Sequence, residues 1–429
     1  MRTARLFGIL TCFALLVGVG CSTGSDPDLG GGGDDDDVVD DTGGAMTVMG
    51  RVTGFVTTPD GEPISGVTVD LVGIASALTD ANGLFVLTEV EPDGEMRVMF
   101  TKRGYTTNVR TVELQGWETR TVNARLLPVD LIQTVGSQGG RIETAELRMD
   151  VPPNAFVNKQ GQPVSSDVEI AVTHIDPSSN EIYAAPNDFS AYTASGSEAG
   201  LASYAMIDVS MTTPEGEEVE LAAGSSAGVE LLLPAELPSQ QSVQVGDIIP
   251  TWHFDEVAVK WIEEAYATVI ESTTVAGRLA AVFDAPYFSA WNVDDCFIDP
   301  NDPAAAAACM GVTVTCIVGD VDDVGDNEII GADILAGNLN LFGTVTDTTD
   351  DNGEYMLWPI QVGSIVDIMV DVTVGGRRYS VTDGSFVANG GAADGTDPAQ
   401  CVRVPTIEVP TCVVGGVVDL ERQRIHNPQ

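Results

Sequence analysis

The stretch "GEPISGVTVDLVGIASALTDANGLFVL", residues 61 to 87, decides the fold. Val67, Val69 and Leu71 alternate with polar neighbours, the period of a half-buried strand. Asp60-Gly61 at its start and Asn82-Gly83 within it are pairs that tolerate positive φ in tight turns. Short β-rich runs punctuated in this way continue from Thr47 to Pro128, about seven strands in all, and predict a β-sandwich.

The pattern returns near the other end of the chain. Gly331-Ala332-Asp333-Ile334 answers Gly66-Val67-Thr68-Val69, and Thr349-Asp350-Asp351-Asn352-Gly353-Glu354-Tyr355 answers the earlier Asp-x-Asn-Gly-x-Phe run. Between the two lies a long β-rich stretch with runs such as "VEIAVTHIDP" and "VELLLP". The fold class expected is therefore all-β: tandem Ig-like β-sandwiches behind an N-terminal signal and a disordered acidic linker. The expected divisions are a signal at 1–20, a flexible tether at 21–46, a first sandwich at 47–128 and a β-rich middle module at 129–294. A linker at 295–312 and a divergent C-terminal sandwich at 313–429 complete the chain. Within the linker, Asp302 suits an N-cap and Pro303 a first helical position, so "DPAAAAAC" predicts a short Ala-rich helix.

Charge narrows the partners. Nineteen Lys+Arg stand against 64 Asp+Glu, a formal net charge of −45, which repels phosphate backbones and argues against nucleic acid. The three histidines, His174, His253 and His426, are far apart, so a histidine-based metal or proton-transfer site has little material.

At the N-terminus, Arg2 and Arg5 precede the apolar run "FGILTCFALLVGVG", too short for an anchor helix and suited to an export signal. The following "STGSDPDLGGGGDDDDVVDDTGG" is kept flexible by glycine and extended by repelling aspartates. Cys21 stands at the junction, and "GVGCS" resembles a bacterial lipobox, with Gly18 in the place usually held by Leu. The resemblance implies a lipidated Cys21 and a membrane as partner, since several acyl chains anchor stably where one does not. Ser22 after the cysteine resembles signals that direct lipoproteins to the outer membrane, facing periplasm or cell exterior.

Two further resemblances concern the modules. Gly54-Phe55-Val56, the run Gly61 to Val67, Thr79 to Phe85, and Gly104-Tyr105 follow the order of the carboxypeptidase regulatory-like domain, a transthyretin-like sandwich. That family's domain is an accessory module and implies no peptidase. Pro152-Pro153-Asn154-Ala155-Phe156, Trp252-His253-Phe254-Asp255, Trp261 and Phe288-Ser289-Ala290-Trp291-Asn292 resemble the extracellular module of cartilage intermediate layer proteins. Relatives tend to carry His before the Phe-Ser pair, where this chain has Tyr287.

Motifs with apparent chemistry dissolve on inspection. "GSSAG", 224–228, satisfies G-x-S-x-G, but a nucleophile elbow needs strand–turn–helix, and the flanks here read strand–turn–strand, a hairpin. "DVDDVGDNEIIG", 320–331, lacks the glutamate that closes an EF-hand, because Gly331 stands at the twelfth position. It reads as a solvated turn, leaving Asp322, Asp323, Asp326 and Glu328 as weak calcium candidates; no other cofactor is expected. Trp252 and Trp261 read as buried aromatics, and Trp117, after a glycine turn, as the exposed one that a glycan would stack on. Cys296, Cys309, Cys316, Cys401 and Cys412 are disulfide candidates in an exported chain. A Cys296–Cys309 pair would staple the linker and Cys316 would join Cys401 or Cys412, leaving one over; no C-x₂-C pair favours zinc.

The resulting expectation is a non-catalytic surface binding or scaffolding lipoprotein, its partner a surface protein or glycan. A carbohydrate-binding accessory protein is the first alternative, and a hydrolase drawing on Ser226 and His253 the second.

Overall fold

The computed structural model describes residues 49–114, 118–235, 242–296, 307–316, 332–338, 343–349, 353–361, 365–374, 377–387 and 401–409, all within one compact unit, Thr47–Gln429. Cys21, Trp117, Cys412 and the calcium candidates Asp322, Asp323, Asp326 and Glu328 lie outside the described residues.

Module 1 comprises β1 (Gly50–Thr57), β2 (Thr68–Leu71), β3 (Ala75–Leu78), β4 (Leu84–Val90), β5 (Glu95–Thr101), β6 (Asn108–Glu113), β7 (Thr119–Thr121) and β8 (Ala124–Arg125). One sheet has β4 and β7 on either side of β1, with β8 also paired to β1; the other runs β3-β2-β5-β6. Val67, Val69 and Leu71 are fully buried, as their alternation requires, and Phe85 meets Phe100 edge-on with centroids 5.7 Å apart. The Asp-x-Asn-Gly turn works through its side chain. Asp80 Oδ1 accepts from the N–H groups of Asn82 (2.8 Å) and Leu84 (2.9 Å), closing an Asx turn into β4. Gly83 has φ 77° there, and a Cβ would stand 2.4 Å from the Val56 carbonyl oxygen.

Module 2 comprises β9 (Leu131–Val135), β10 (Gly140–Glu143), β11 (Leu147–Val151), β12 (Phe156–Asn158), β13 (Val168–Ile175), a 3₁₀ turn (Asn180–Ala184), β14 (Ser190–Tyr192) and β15 (Glu198–Thr212). It continues with β16 (Val219–Leu221), β17 (Ala227–Leu232), β18 (Ile248–Asp255), β19 (Lys260–Glu271), β20 (Leu279–Ala285) and β21 (Ala290–Cys296). Apart from the β12–β16 pair these form one continuous sheet, β10-β11-β17-β20-β19-β18-β21-β15-β13-β9, with β14 attached to β15 and β19. The sheet curls over on itself. Val135 of β9 and Ile142 of β10, from its opposite ends, share one core with Met149, Val172, Trp291 and Phe283. Bulges at Ser203/Ala205 and Thr251/Trp252 interrupt its longest strands, and bulges add the local twist that curling needs.

The opposite face of this sheet carries a second core that belongs to two modules. Trp252, Phe254 and Trp261 pack there with Val109 and Leu127 of module 1. Trp252, Trp261 and Trp291 are all fully buried. The first two thus weld modules together, which their local sequence does not announce.

Module 3 comprises β22 (Ala307–Cys316), β23 (Asp333–Asn338), β24 (Gly343–Thr348), β25 (Glu354–Gln361), β26 (Ile365–Val374), β27 (Arg377–Val387), β28 (Val402–Arg403) and β29 (Ile407–Val409). Its sheets, β25-β22 with β28 and β29 beside β22, and β24-β23-β26-β27, repeat the order of module 1 strand for strand. Equivalent details recur: Val56 N–H donates to Gly83 O at 2.9 Å, and Val314 N–H to Gly353 O at 2.8 Å. Thr79 Oγ1 accepts from Val67 N–H and Thr349 Oγ1 from Ala332 N–H, both at 2.9 Å.

Two expectations need correction. Ala307 and Ala308 do not continue an Ala-rich helix: they open β22 and pair with Gln361 and Ile360. Small residues are accepted in this strand because its ladder hydrogen bonds outweigh alanine's modest helix preference. β22 therefore begins inside the expected linker, and β21 runs on to Cys296. At "GSSAG" the flanks are strands, β16 and β17, but not a hairpin. β16 pairs with β12 and β17 with β11 and β20, so the turn passes between sheets.

Charge is buried where the modules meet. Arg120 of module 1, held by Glu118 at 3.1 Å, donates to the Thr349 carbonyl of module 3. Arg125 of β8 lies 3.6 Å from Asp371 and 3.0 Å from Met369 Sδ in module 3, with its guanidinium 5.6 Å from the Tyr183 ring centroid in module 2.

Candidate functional site

Residues 253, 264 and 287 are brought together by the bulge in the β18–β19 ladder. His253 sits opposite Trp291 on the neighbouring β21, and Glu264 is the residue skipped by the register between Ala265 and Glu263. The Tyr287 hydroxyl donates to Glu264 Oε2 at 2.7 Å and lies 2.7 Å from His253 Nδ1. A phenol has one proton to give, so the neutral imidazole supplies the other as Nδ1–H, and the three groups form a relay from imidazole to phenol to carboxylate. Rings back it up: His253 and Tyr287 meet edge-on at 4.7 Å, and both lie within 6 Å of the buried Trp291.

Electrostatics set the protonation states. Burial pushes the His253 pKa down, against the pull of Glu264 and Asp255. Burial and the bond to Glu264 push the Tyr287 phenol far up. Tyr287 is thus a fixed donor, Glu264 an exposed acceptor, and His253 an uncharged link. Such an arrangement can offer the exposed Glu264 carboxylate as a hydrogen-bond acceptor. His253 is hydrogen-bonded to Tyr287, and among the described residues no hydrogen bond joins Ser226 to it.

The other residues singled out from the sequence do not converge on this site. Cys296 ends β21, Cys309 lies within β22 and Cys316 ends it, while Cys401 is buried and disulfide-bonded. Among the described residues no group of His, Cys, Asp and Glu is placed to hold a metal ion. In the sequence His253 and Tyr287 stand in separate motifs, and Glu264 stands in none. The usable signal was "WIEEAY", where two adjacent glutamates break strand alternation and mark the bulge.

Buried polar groups lie beneath the relay. Ser203 Oγ donates to Asn292 Oδ1 at 2.6 Å and Asn292 Nδ2 to Asp294 Oδ2 at 2.5 Å, while Trp252 Nε1 donates to the Asp294 carbonyl at 3.3 Å. This network fixes the register of β15, β18 and β21 around both bulges and so holds His253 in place.

No curated protein matches the chain in sequence. Among solved structures it is similar to the Bacillus anthracis TIE protein, at 11% identity and a TM-score of 0.18, covering 85% of this chain and 50% of that one. It is also similar to the full-length major pilin SpaD from Corynebacterium diphtheriae, at 10% identity and a TM-score of 0.18, covering 85% and 98%. The family comparison is local: residues 51–127, almost the whole of module 1, match the carboxypeptidase regulatory-like domain.

Proposed function

We propose that the protein is an exported lipoprotein whose β-sandwich modules act as a non-catalytic binding scaffold at the cell surface, held by lipid on Cys21 and spaced by the acidic tether. The observation that supports it is the welding of the modules, through the core shared by Trp252, Trp261, Val109 and Leu127 and through the buried Arg125. Modules fixed in this way present their surface groups at constant spacing, as a scaffold requires and a hinged catalytic cleft does not. Surface loops and the His253–Tyr287–Glu264 relay supply its recognition chemistry.

Metabolic labelling with a palmitate analogue tests the anchor. Label on the wild type that vanishes in Cys21→Ala, with the mutant protein released from membranes, is the expected result. Equal labelling of both would sink the lipoprotein reading.

A further inference from the structure

A cavity of about 160 Å³ opens where the three modules meet. Module 1 contributes Glu95 and Thr111, module 2 Tyr192, Glu198 and Lys260, and module 3 Tyr355. Its inner wall is built rather than accidental. The Asp188 carboxylate, 9% exposed, accepts from the Ser190 N–H at 3.0 Å, from the Ser190 hydroxyl, and from the Asn187 amide at 3.3 Å. Lys260 Nζ donates to Ser190 Oγ at 2.5 Å. Ser190 thus bridges a carboxylate and an ammonium, which locks the lysine at the wall with donors to spare.

The backbone is strained at the same place. Asn187 has φ 49° and Val259 φ 52°, and a β-branched residue rarely takes the left-handed conformation. The two are tied by Asn187 Nδ2 to Val259 O at 3.3 Å, and Asn187 N–H reaches Val109 O of module 1 at 2.9 Å. Val259 immediately precedes Lys260, so this strained turn aims the lysine. Strain held against its cost marks a place where geometry matters.

Size and polarity select the occupant. The cavity is smaller than the pockets that hold drug-sized ligands, which run to about 300 Å³ and more, so it takes one ring. An anion meets Glu95, Glu198 and Asp188, and a cation meets Lys260. A neutral group with several hydroxyls uses both: the carboxylates accept from it and Lys260, Thr111 and the Tyr192 hydroxyl donate to it. Tyr192 and Tyr355, with Ala191 and Ala199, offer apolar surface to the C–H faces of such a ring.

We propose that this three-module cavity binds a single sugar residue, the end of a glycan chain. This goes beyond the scaffold reading and is independent of the lipid anchor. It also moves glycan recognition away from the surface tryptophan that the sequence suggested.

Saturation-transfer difference NMR on the full chain, with D-glucose, D-galactose and N-acetyl-D-glucosamine as separate probes, tests it. At least one sugar is expected to bind with a Kd on the order of 1 mM, and to lose about tenfold or more in Glu95→Gln/Glu198→Gln and in Lys260→Met. Both glutamates are exposed, so the double variant keeps its fold, and an unchanged thermal melt verifies this. The proposal is overturned by the absence of transfer from every sugar, or by undiminished binding in both variants. Binding of N-acetyl-lysine methylamide in place of the sugars also overturns it, in favour of a cationic ligand.

Discussion

Tyr287 stands between two groups that attract one another. His253 Nδ1 and Glu264 Oε2 are 3.7 Å from one another, with the phenol hydrogen-bonded to both, and burial keeps the imidazole's pKa down against the pull of the carboxylate. In Tyr287→Phe the histidine faces the carboxylate directly, so its pKa is expected to rise, read from the imidazole proton shifts by NMR. The stability cost should be about 1 kcal/mol, that of one hydrogen bond. Asp208 makes the opposite kind of prediction. On β15, beside module 1, it is desolvated and repelled by Glu256, with a backbone bond from Thr107 as partial relief, and its pKa is raised to about 7. An aspartate that binds its proton more tightly when folded adds stability below its ordinary pKa and loses it as pH climbs to about 7. Because the side chain keeps some solvent contact, the swing should be about 2 kcal/mol rather than the full shift. Denaturant melts from pH 4 to 8 should show this decline in the wild type and a flatter curve in Asp208→Asn. Neither role was legible beforehand, since alternation locates a strand position without saying what covers it.

Among the elements, the turn into β4 was the most legible, because its chemistry is local. Asp80, Asn82 and Gly83 act on their own backbone, and the same logic identifies module 3 across more than two hundred residues of dissimilar sequence. Gly83→Ala should cost roughly 2–4 kcal/mol, combining a left-handed backbone with a collision against the Val56 carbonyl, as urea unfolding would report. Glu89, exposed with φ 58°, lacks such a constraint, and Glu89→Gly should raise stability by up to about 1 kcal/mol. The alanines that open β22, Ala307 and Ala308, misled for the complementary reason. Helix preference is a local quantity of a few tenths of a kcal/mol per residue, and pairing with β25 is worth more. Module 2 was legible as β-rich but not as one curled sheet, for strand order depends on contacts far apart in sequence. The relay shares that blindness: its three groups meet only because one residue in β19 is skipped.

For the whole molecule, the decisive residue is Arg125, which touches all three modules. Replacing it with Met removes the cation beside Asp371, 3% exposed, and losing one member of a buried ion pair should cost roughly 3–5 kcal/mol. Calorimetry is expected to resolve module 3 as a separate, earlier transition in Arg125→Met. An unsplit transition at the wild-type temperature would show that this arginine does not set the docking of module 3. The position of that arginine also sets an order of events. It lies on β8, which with β7 pairs in parallel with β1, the first strand of the module. Parallel partners so distant must close a long loop before any bond rewards them. As the chain emerges from its N-terminal end, module 1 stays incomplete until β8 arrives, and its completion delivers Arg125 and Leu127 as a finished template for modules 2 and 3. A chain stopped before β7 should therefore show no cooperative melt, and each module in turn is cast against the one that precedes it.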